Sequence, residues 1–532
     1  MASSLQSLLD TGSQMLRSQQ FADAQNVAAT LLQQYPGNPL ALLFAADTAD
    51  AQGNTTDALR HLEAVPPGSP HHAQVALRKS QLLFGLHRRA EARDTALSVA
   101  ARISDPTQVT ALAQVLTDCQ DPDAARVWLL KALERFPEHP QLLADAARAE
   151  FHLNRIDEAE EHLATLLRVQ PFHAGALHLR STLRTQTLER NHVTDLEARL
   201  QREPNRLNLE VAANFALAKE YEDLQKYDRS FAALSRGTKA YRRTLRYDSA
   251  TELASQAAIR EKFTANTLPT LGEGYAEDGP IFIVGMPRTG TTLVERILTS
   301  HSDVGALGEL KDFPLLMTAM VRERLAASPS GEDDIDASLR IDFRELGRRY
   351  IQSARQLAGG ARYFVDKLPY NFLYCGYILA ALPRAKIIHL RRDPLDTCYA
   401  VYKTLFFNAY SYSYDLQELA DYYVGYRAHM DHWHHVLPGR ILDVTYEELV
   451  RDPESRAHRV FDWCGLPWQA SVLDFHAQQR PSMTASAMQV RKPIYTHSVG
   501  AWRRNESALA PVRERLERAG LIPPGDATPP TH

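Results

Sequence analysis

Residues 285–292 read Gly-Met-Pro-Arg-Thr-Gly-Thr-Thr and follow the apolar run IFIV. Their glycine spacing is that of the phosphate loop G-x-x-x-x-G-K-[ST], but Thr291 stands where the lysine belongs. A glycine-rich turn between a strand and a helix aims backbone N–H groups at one point, and the positive end of the helix dipole adds to them. Such a turn binds phosphate without the lysine. The lysine normally reaches the β- and γ-phosphates of a magnesium-held triphosphate, so its loss argues against γ-phosphoryl transfer. Here the cationic charge lies inside the loop, on Arg288, and Thr289, Thr291 and Thr292 bring hydroxyl donors. One phosphate with one further anionic group fits that set.

A second anion signal lies in AKIIHLRRDPLDTCYAVYK, residues 385–403. A strand over KIIHL would deliver Arg391 and Arg392 to its C-terminal end, where open α/β sheets bind ligands. One of these guanidiniums can grip a phosphate through two parallel hydrogen bonds, while Asp393-Pro394 starts the next helix. Loop and arginine pair together suggest a nucleotide phosphorylated at both its 5′ and 3′ ends. Glu309, in HSDVGALGELKDFP, follows the loop helix in a short Gly-Glu turn, from which it could return to the loop's mouth as a base, although a carboxylate in such a turn is ordinarily solvated. Lys367, in YFVDKLPYNF, follows a predicted strand. His301 and His389 are the competing bases, although both have ordinary uses, as a helix C-terminal cation and as a satisfied strand residue. The sequence spacing suggests no metal-ligand cluster, and Cys119, Cys375, Cys398 and Cys464 are too scattered for a disulfide framework or a zinc site. Their expected role is packing.

These residues need a sheet beneath them. Short apolar runs at 281 (IFIV), 363 (YFV), 386 (KIIHL) and 440 (RILDV) alternate with helical patterns, as strands buried on both faces of a parallel sheet do. The second half is therefore expected to be a P-loop-type α/β domain spanning 266–525, beginning where TLPTLGEGYAEDGP breaks the helical pattern. Upstream, Ala24, Ala58, Ala92, Ala125 and Ala159 recur at intervals of 34, 34, 33 and 34. Pro36, Pro70, Pro137 and Pro171 follow four of them at twelve residues, and the Ala92 unit slips to Pro106. A small residue in the second helix of each pair and a proline closing it resemble the tetratricopeptide repeat, an all-α solenoid expected over 1–185. Residues 186–265 stay helical and form the expected connector.

At 532 residues with 44% hydrophobic and 23% charged content, two or three globular domains are expected. A net charge of -4 gives no basic excess and so no reason to expect a general nucleic-acid or membrane-surface binder. The N-terminus lacks a basic region followed by an apolar core, and no long apolar run appears later in the chain, so a cytoplasmic protein is expected.

The two anion-binding segments resemble the 5′-phosphosulfate loop and the 3′-phosphate motif of sulfotransferases that use 3′-phosphoadenosine 5′-phosphosulfate (PAPS). The resemblance covers residues 275–510 and is nearest to bacterial proteins that fuse tetratricopeptide repeats to a sulfotransferase domain. The Pro-Arg-x-Gly-Thr-Thr loop followed by Gly-Glu is similar to that of tyrosylprotein sulfotransferases. The resemblance implies that Arg288, Thr289, Gly290, Thr291 and Thr292 wrap the phosphosulfate and that Arg392 holds the 3′-phosphate. It implies Glu309 as catalytic base, Lys367 on the bridging oxygen, and Arg288 on the sulfuryl oxygens, with PAPS as co-substrate and no metal. The family's serine eight residues beyond the 3′-phosphate arginine is Ala400 here, leaving that contact to a neighbour such as Thr397 or Lys403. Tyr446 matches a nucleotide-pocket motif, and SAMQVRKPIYTHSVGAWRR resembles the segment that closes over the nucleotide, with Ser486, Gln489, Lys492, Trp502 and Arg503 as contacts. The implied acceptor is a protein or peptide tyrosine, docked on the repeats; a small molecule, lipid or glycan is the alternative. A nucleotide-sensing scaffold without catalysis is the reading from a different class.

Overall fold

The computed structural model describes residues 4–86, 88–327, 331–477 and 494–524. The five periodic alanines are each 0% exposed, and each lies in the second helix of a hairpin. The pairs are Leu5–Arg17 with Phe21–Gln34, Pro39–Ala51 with Thr55–Glu63, His72–Gly85 with Arg89–Ala100, Pro106–Asp118 with Pro122–Arg135, and Pro140–His152 with Ile156–Val169. A methyl side chain at that position lets the two helices close on each other. The chain reverses between paired helices through one left-handed residue: Gln19, Gly53, Gln120 and Asn154. Each stands five residues before its alanine; the corresponding residue before Ala92 lies outside the described residues. Pro36, Pro137 and Pro171 stand two residues beyond the helix ends Gln34, Arg135 and Val169, where proline cannot continue a helix.

These helices form the first of two compact units, Met1–Gln170; the second is Pro171–His532. The second unit opens with further helices, among them the hairpin Leu207–Asp223 and Tyr227–Arg242. Its turn repeats the device, with left-handed Gln225 five residues before the buried, small Ser230. Polar contacts tie this hairpin to the α/β part of the same unit. The Thr238 and Tyr402 hydroxyls meet at 2.8 Å, Lys403 Nζ pairs with Glu222 at 2.8 Å, and Arg242 with Glu418 at 2.7 Å.

Five strands build one sheet: β1 (Pro280–Gly285), β2 (Val304–Gly308), β3 (Tyr363–Asp366), β4 (Lys386–Arg391) and β5 (Ile441–Thr445). Their order is β2-β3-β1-β4-β5, and every neighbouring pair is parallel. In register, Gly285 lies beside Leu390 and Phe282 beside Asp366. All of β1 is buried, and its side chains alternate between two cores. Ile281 and Ile283 pack with Val294, Ile297 and Leu298 of the helix Thr291–Thr299. On the other face Phe282 meets Tyr350 at 5.5 Å and Phe313 at 6.2 Å between ring centroids.

The chain leaves β1 toward β2 at one edge and leaves β4 toward β5 at the other. The connections leaving the C-terminal ends of these adjacent strands therefore run in opposite directions, opening the crevice where parallel α/β sheets take ligands. Among the described residues no helix is long and apolar enough to cross a membrane.

Candidate active site

Each strand delivers a candidate residue at or just beyond its C-terminal end. After β1 comes the loop with Arg288; Glu309 directly follows β2, Lys367 follows β3, Arg392 follows β4, and Tyr446 follows β5. The parallel sheet thus gathers along one edge residues that are scattered over 159 positions of sequence, from Arg288 to Tyr446 inclusive.

The loop has to bend sharply to reach its helix. Gly285 (φ 144°), Arg288 (φ 66°) and Gly290 (φ 100°) all have left-handed backbones. A Cβ at Gly285 would lie 2.7 Å from the Leu390 carbonyl oxygen, and one at Gly290 would lie 2.6 Å from the Tyr446 ring. These glycines allow β4 and Tyr446 to approach the loop closely. Thr291 and Thr292 open the helix and are buried, and the Thr289 hydroxyl donates to the Met286 carbonyl at 2.8 Å, closing the loop on itself.

Arg392 reaches across from β4. One of its Nη groups donates to the Arg288 carbonyl at 3.0 Å and the other to the Ser498 carbonyl at 2.5 Å, and its guanidinium lies over Tyr446 at 5.0 Å. Its buried Nε has no hydrogen-bond partner among the described residues. Burial first, and then the Arg392 charge, lower the Arg288 pKa to about 10. Two guanidiniums that repel each other in a shielded crevice form a site that an anion relieves.

Lys367 is 0% exposed, and its Nζ donates to Glu309 Oε1 at 2.6 Å. Burial opposes its charge, but Glu309 and then Glu295 outweigh that and raise its pKa, so the ammonium persists at neutral pH. Glu309 itself faces outward, with its side chain 42% exposed. The peptide before it is held through the Gly308 carbonyl, which accepts from the Lys367 backbone N–H at 2.9 Å. Glu295, on the loop helix, is buried near Lys367. Burial raises the Glu295 pKa against the pull of Lys367. The site therefore holds an open carboxylate and a buried ammonium side by side.

The closing segment is described from residue 494 onward; Ser486, Gln489 and Lys492 lie outside the described residues. Its remaining part is anchored by Asp396, a fully buried carboxylate that accepts from Gly500 N at 2.6 Å and Trp502 N at 3.0 Å. The Ser498 hydroxyl meets the Tyr446 hydroxyl at 2.8 Å. Trp502 is buried, with Arg503 over its ring at 5.0 Å and Arg513 at 5.4 Å. Asp396 and Glu295 do not stand out in the sequence. Asp396 sits one turn past Arg392 in RRDPLD, and that spacing is the available signal.

The other sequence candidates have partners of their own. Thr397 donates its hydroxyl to the Asp393 carbonyl at 2.8 Å and lies 3.5 Å from the Arg392 carbonyl, so it stays beside the position of the serine missing at Ala400, whereas Lys403 is ion-paired with Glu222. His389 is buried within β4, with Nδ1 bonded to Asp443 at 2.7 Å and Nε2 to the Tyr426 hydroxyl at 2.5 Å; burial lowers its pKa despite the carboxylate. His301 is likewise buried, holding the Pro467 carbonyl and the Asp303 N–H at 3.1 Å each. Both histidines serve the fold.

Residues 280–470 match the sulfotransferase family, and residues 15–76 and 116–183 match the tetratricopeptide repeat. The chain is a fusion of tetratricopeptide repeats with a sulfotransferase-family domain. An uncharacterized protein of Aquifex aeolicus is 32% identical over 396 residues, covering 73% of this chain and 52% of that one. A protein-tyrosine sulfotransferase of Drosophila melanogaster is 24% identical over 283 residues, covering 48% of this chain and 53% of its own. The chain thus spans about half the length of these curated relatives. Among solved structures, the sulfotransferase domain of the Synechococcus olefin synthase covers 47% of this chain and 98% of its own, at 20% identity and a TM-score of 0.36.

Proposed function

We propose that this protein transfers a sulfuryl group from PAPS to a hydroxyl acceptor, with a protein or peptide tyrosine as the favoured acceptor. The observation that carries this reading is the pair of opposed guanidiniums, Arg288 and Arg392, one strand away from the Lys367–Glu309 pair. Arg288 and the first amides of the helix Thr291–Thr299 would hold the 5′-phosphosulfate, and Arg392, over Tyr446, would hold the 3′-phosphate. When bound, PAPS supplies the sulfuryl group, and 3′-phosphoadenosine 5′-phosphate (PAP) is the leaving nucleotide. Glu309, exposed at the mouth, accepts the hydroxyl proton on its carboxylate. Lys367 brings its buried ammonium to the bridging oxygen and Arg288 its guanidinium to the sulfuryl oxygens, where negative charge develops. No metal is needed to stabilise charge in this scheme.

The repeats give the acceptor a surface to dock on, as extended helical solenoids do. Incubating the full-length protein and a cell extract with radiolabelled donor tests the proposal. Label in protein tyrosine, lost with Glu309→Gln, is the expected result. Label in lipid, glycan or small molecules would move the acceptor, and no transfer above the Glu309→Gln background would contradict the enzyme reading.

A further inference from the structure

Strand pairing puts two metal-ligating side chains next to each other on the face of the sheet away from the loop helix. Ile388, Leu390, Leu442 and Val444 pack into the core that the loop helix covers, so strand alternation turns His389 and Asp443 to the opposite face. These two residues are direct partners in the β4–β5 register. The helix Leu416–Val436 lies against that face and brings Tyr426 and His434, about two turns apart. Both imidazoles converge on a single carboxylate oxygen: His389 Nδ1 is 2.7 Å and His434 Nε2 is 3.0 Å from Asp443 Oδ1. The three ligand atoms lie within 4.8 Å of one another.

Two imidazoles and a carboxylate are a set that zinc-type divalent ions accept. With bonds of about 2.0–2.1 Å in a tetrahedron, neighbouring ligand atoms stand about 3.3 Å apart, so the two contacts need to open by only roughly half an ångström. Outer contacts already fix two of the ligands. The Tyr426 hydroxyl meets His389 Nε2 at 2.5 Å, and Arg391 holds the other Asp443 oxygen at 3.2 Å. The His389 side chain is 1% exposed, whereas those of Asp443 and His434 are 31% and 35% exposed. The latter two line an open groove of about 510 Å³ with Arg459, Asp462 and Trp463, which gives an ion a way in and water a place beside it.

We infer that His389 Nδ1, His434 Nε2 and Asp443 Oδ1 bind one zinc-type divalent cation, which ties β4 and β5 to the helix Leu416–Val436. The neutral His389 ring moves its proton from Nδ1 to Nε2, where it faces the Tyr426 oxygen, and releases none. The site is structural and takes no part in the proposed transfer. Hydrogen bonds alone would also satisfy these three atoms, and metal affinity separates the two states.

Zn²⁺ is titrated by calorimetry into the untagged full-length protein after EDTA treatment and removal of the chelator. One equivalent is expected to bind with a Kd of about 1 μM or tighter and to raise the thermal midpoint. X-ray absorption of the bound zinc should show two imidazole nitrogens. His434→Ala and Asp443→Asn are each expected to weaken the ion at least about tenfold, whereas His61→Ala, in the repeats, leaves it unchanged. Far-UV circular dichroism checks that the variants fold; if Asp443→Asn does not, His434→Ala decides alone. The proposal is overturned by the lack of a stoichiometric site, by a zinc with other than two imidazoles, or by unchanged affinity in either folded ligand variant.

Discussion

Asp396→Asn tests how the closing segment is held over Arg392. The carboxylate accepts two backbone N–H groups, from Gly500 and Trp502, at 2.6 and 3.0 Å. An amide offers a single acceptor oxygen, and its nitrogen presents hydrogens to the second N–H. A hydrogen bond to a charged group contributes about 1.5–3 kcal/mol, and a buried donor left without a partner costs about 1–3 kcal/mol. Allowing for relaxation at one of the two amides, we expect the segment to be destabilised by about 2–3 kcal/mol, which is about 30- to 150-fold in its opening equilibrium. The substitution also removes a negative charge 4.0 Å from the Arg392 guanidinium, which by itself would favour a phosphate there. Nucleotide affinity therefore mixes two opposing effects, whereas amide exchange reports the anchoring alone. Hydrogen exchange should show the Gly500 and Trp502 amides about 30- to 150-fold faster in the variant, with the β1 amides unchanged. Unaltered protection at both amides would refute the anchoring role of Asp396.

Glu309→Gln should lower turnover by about 10²- to 10⁴-fold, the usual range for a general base, while PAP affinity is retained. Turnover that survives in this variant would move the base elsewhere. Gly290→Ala forces a Cβ to 2.6 Å from the Tyr446 ring on a left-handed backbone and should weaken PAP at least about tenfold in a binding titration, whereas Gly439→Ala, remote from the site, should not. Buried His429 has its pKa lowered to about 3, mainly by burial. The unfolded chain therefore binds a proton there that the folded chain refuses, and stability falls as pH drops below the ordinary histidine value. Between pH 7 and 5 this residue should cost about 2 kcal/mol, so denaturant unfolding of His429→Leu should show a shallower pH dependence than that of the native chain. Equal slopes would contradict it.

The repeats were legible because one steric requirement recurs. A buried methyl every 33 or 34 residues survives even where the aromatic positions drift, and all five alanines are fully buried. The left-handed turn residues were invisible because Gln19, Gln120 and Asn154 are not the glycines that usually mark such a backbone. Four strands could be read from their apolar runs. Edge strand β2 could not, since Val-Gly-Ala-Leu-Gly has two glycines and little bulk to bury. That strand places Glu309, so the sequence named the residue without the element that aims it. Arg288, Arg392 and Lys367 stood out as charges beside apolar runs, whereas Asp396 and Glu295 looked like ordinary helix carboxylates. Asp396 matters because it is buried against backbone amides more than one hundred residues away, and Glu295 because it is buried near Lys367, neither of which local pattern encodes.

The central claim is that the crevice between β1 and β4 binds a nucleotide phosphorylated at its 5′ and 3′ ends without a metal. Thermal unfolding of the full-length protein with PAP in the presence of EDTA, against ATP with Mg²⁺, tests it most directly. Stabilisation by PAP alone, abolished in Arg392→Ala, is the predicted result. Stabilisation by ATP with Mg²⁺ and none by PAP would contradict it.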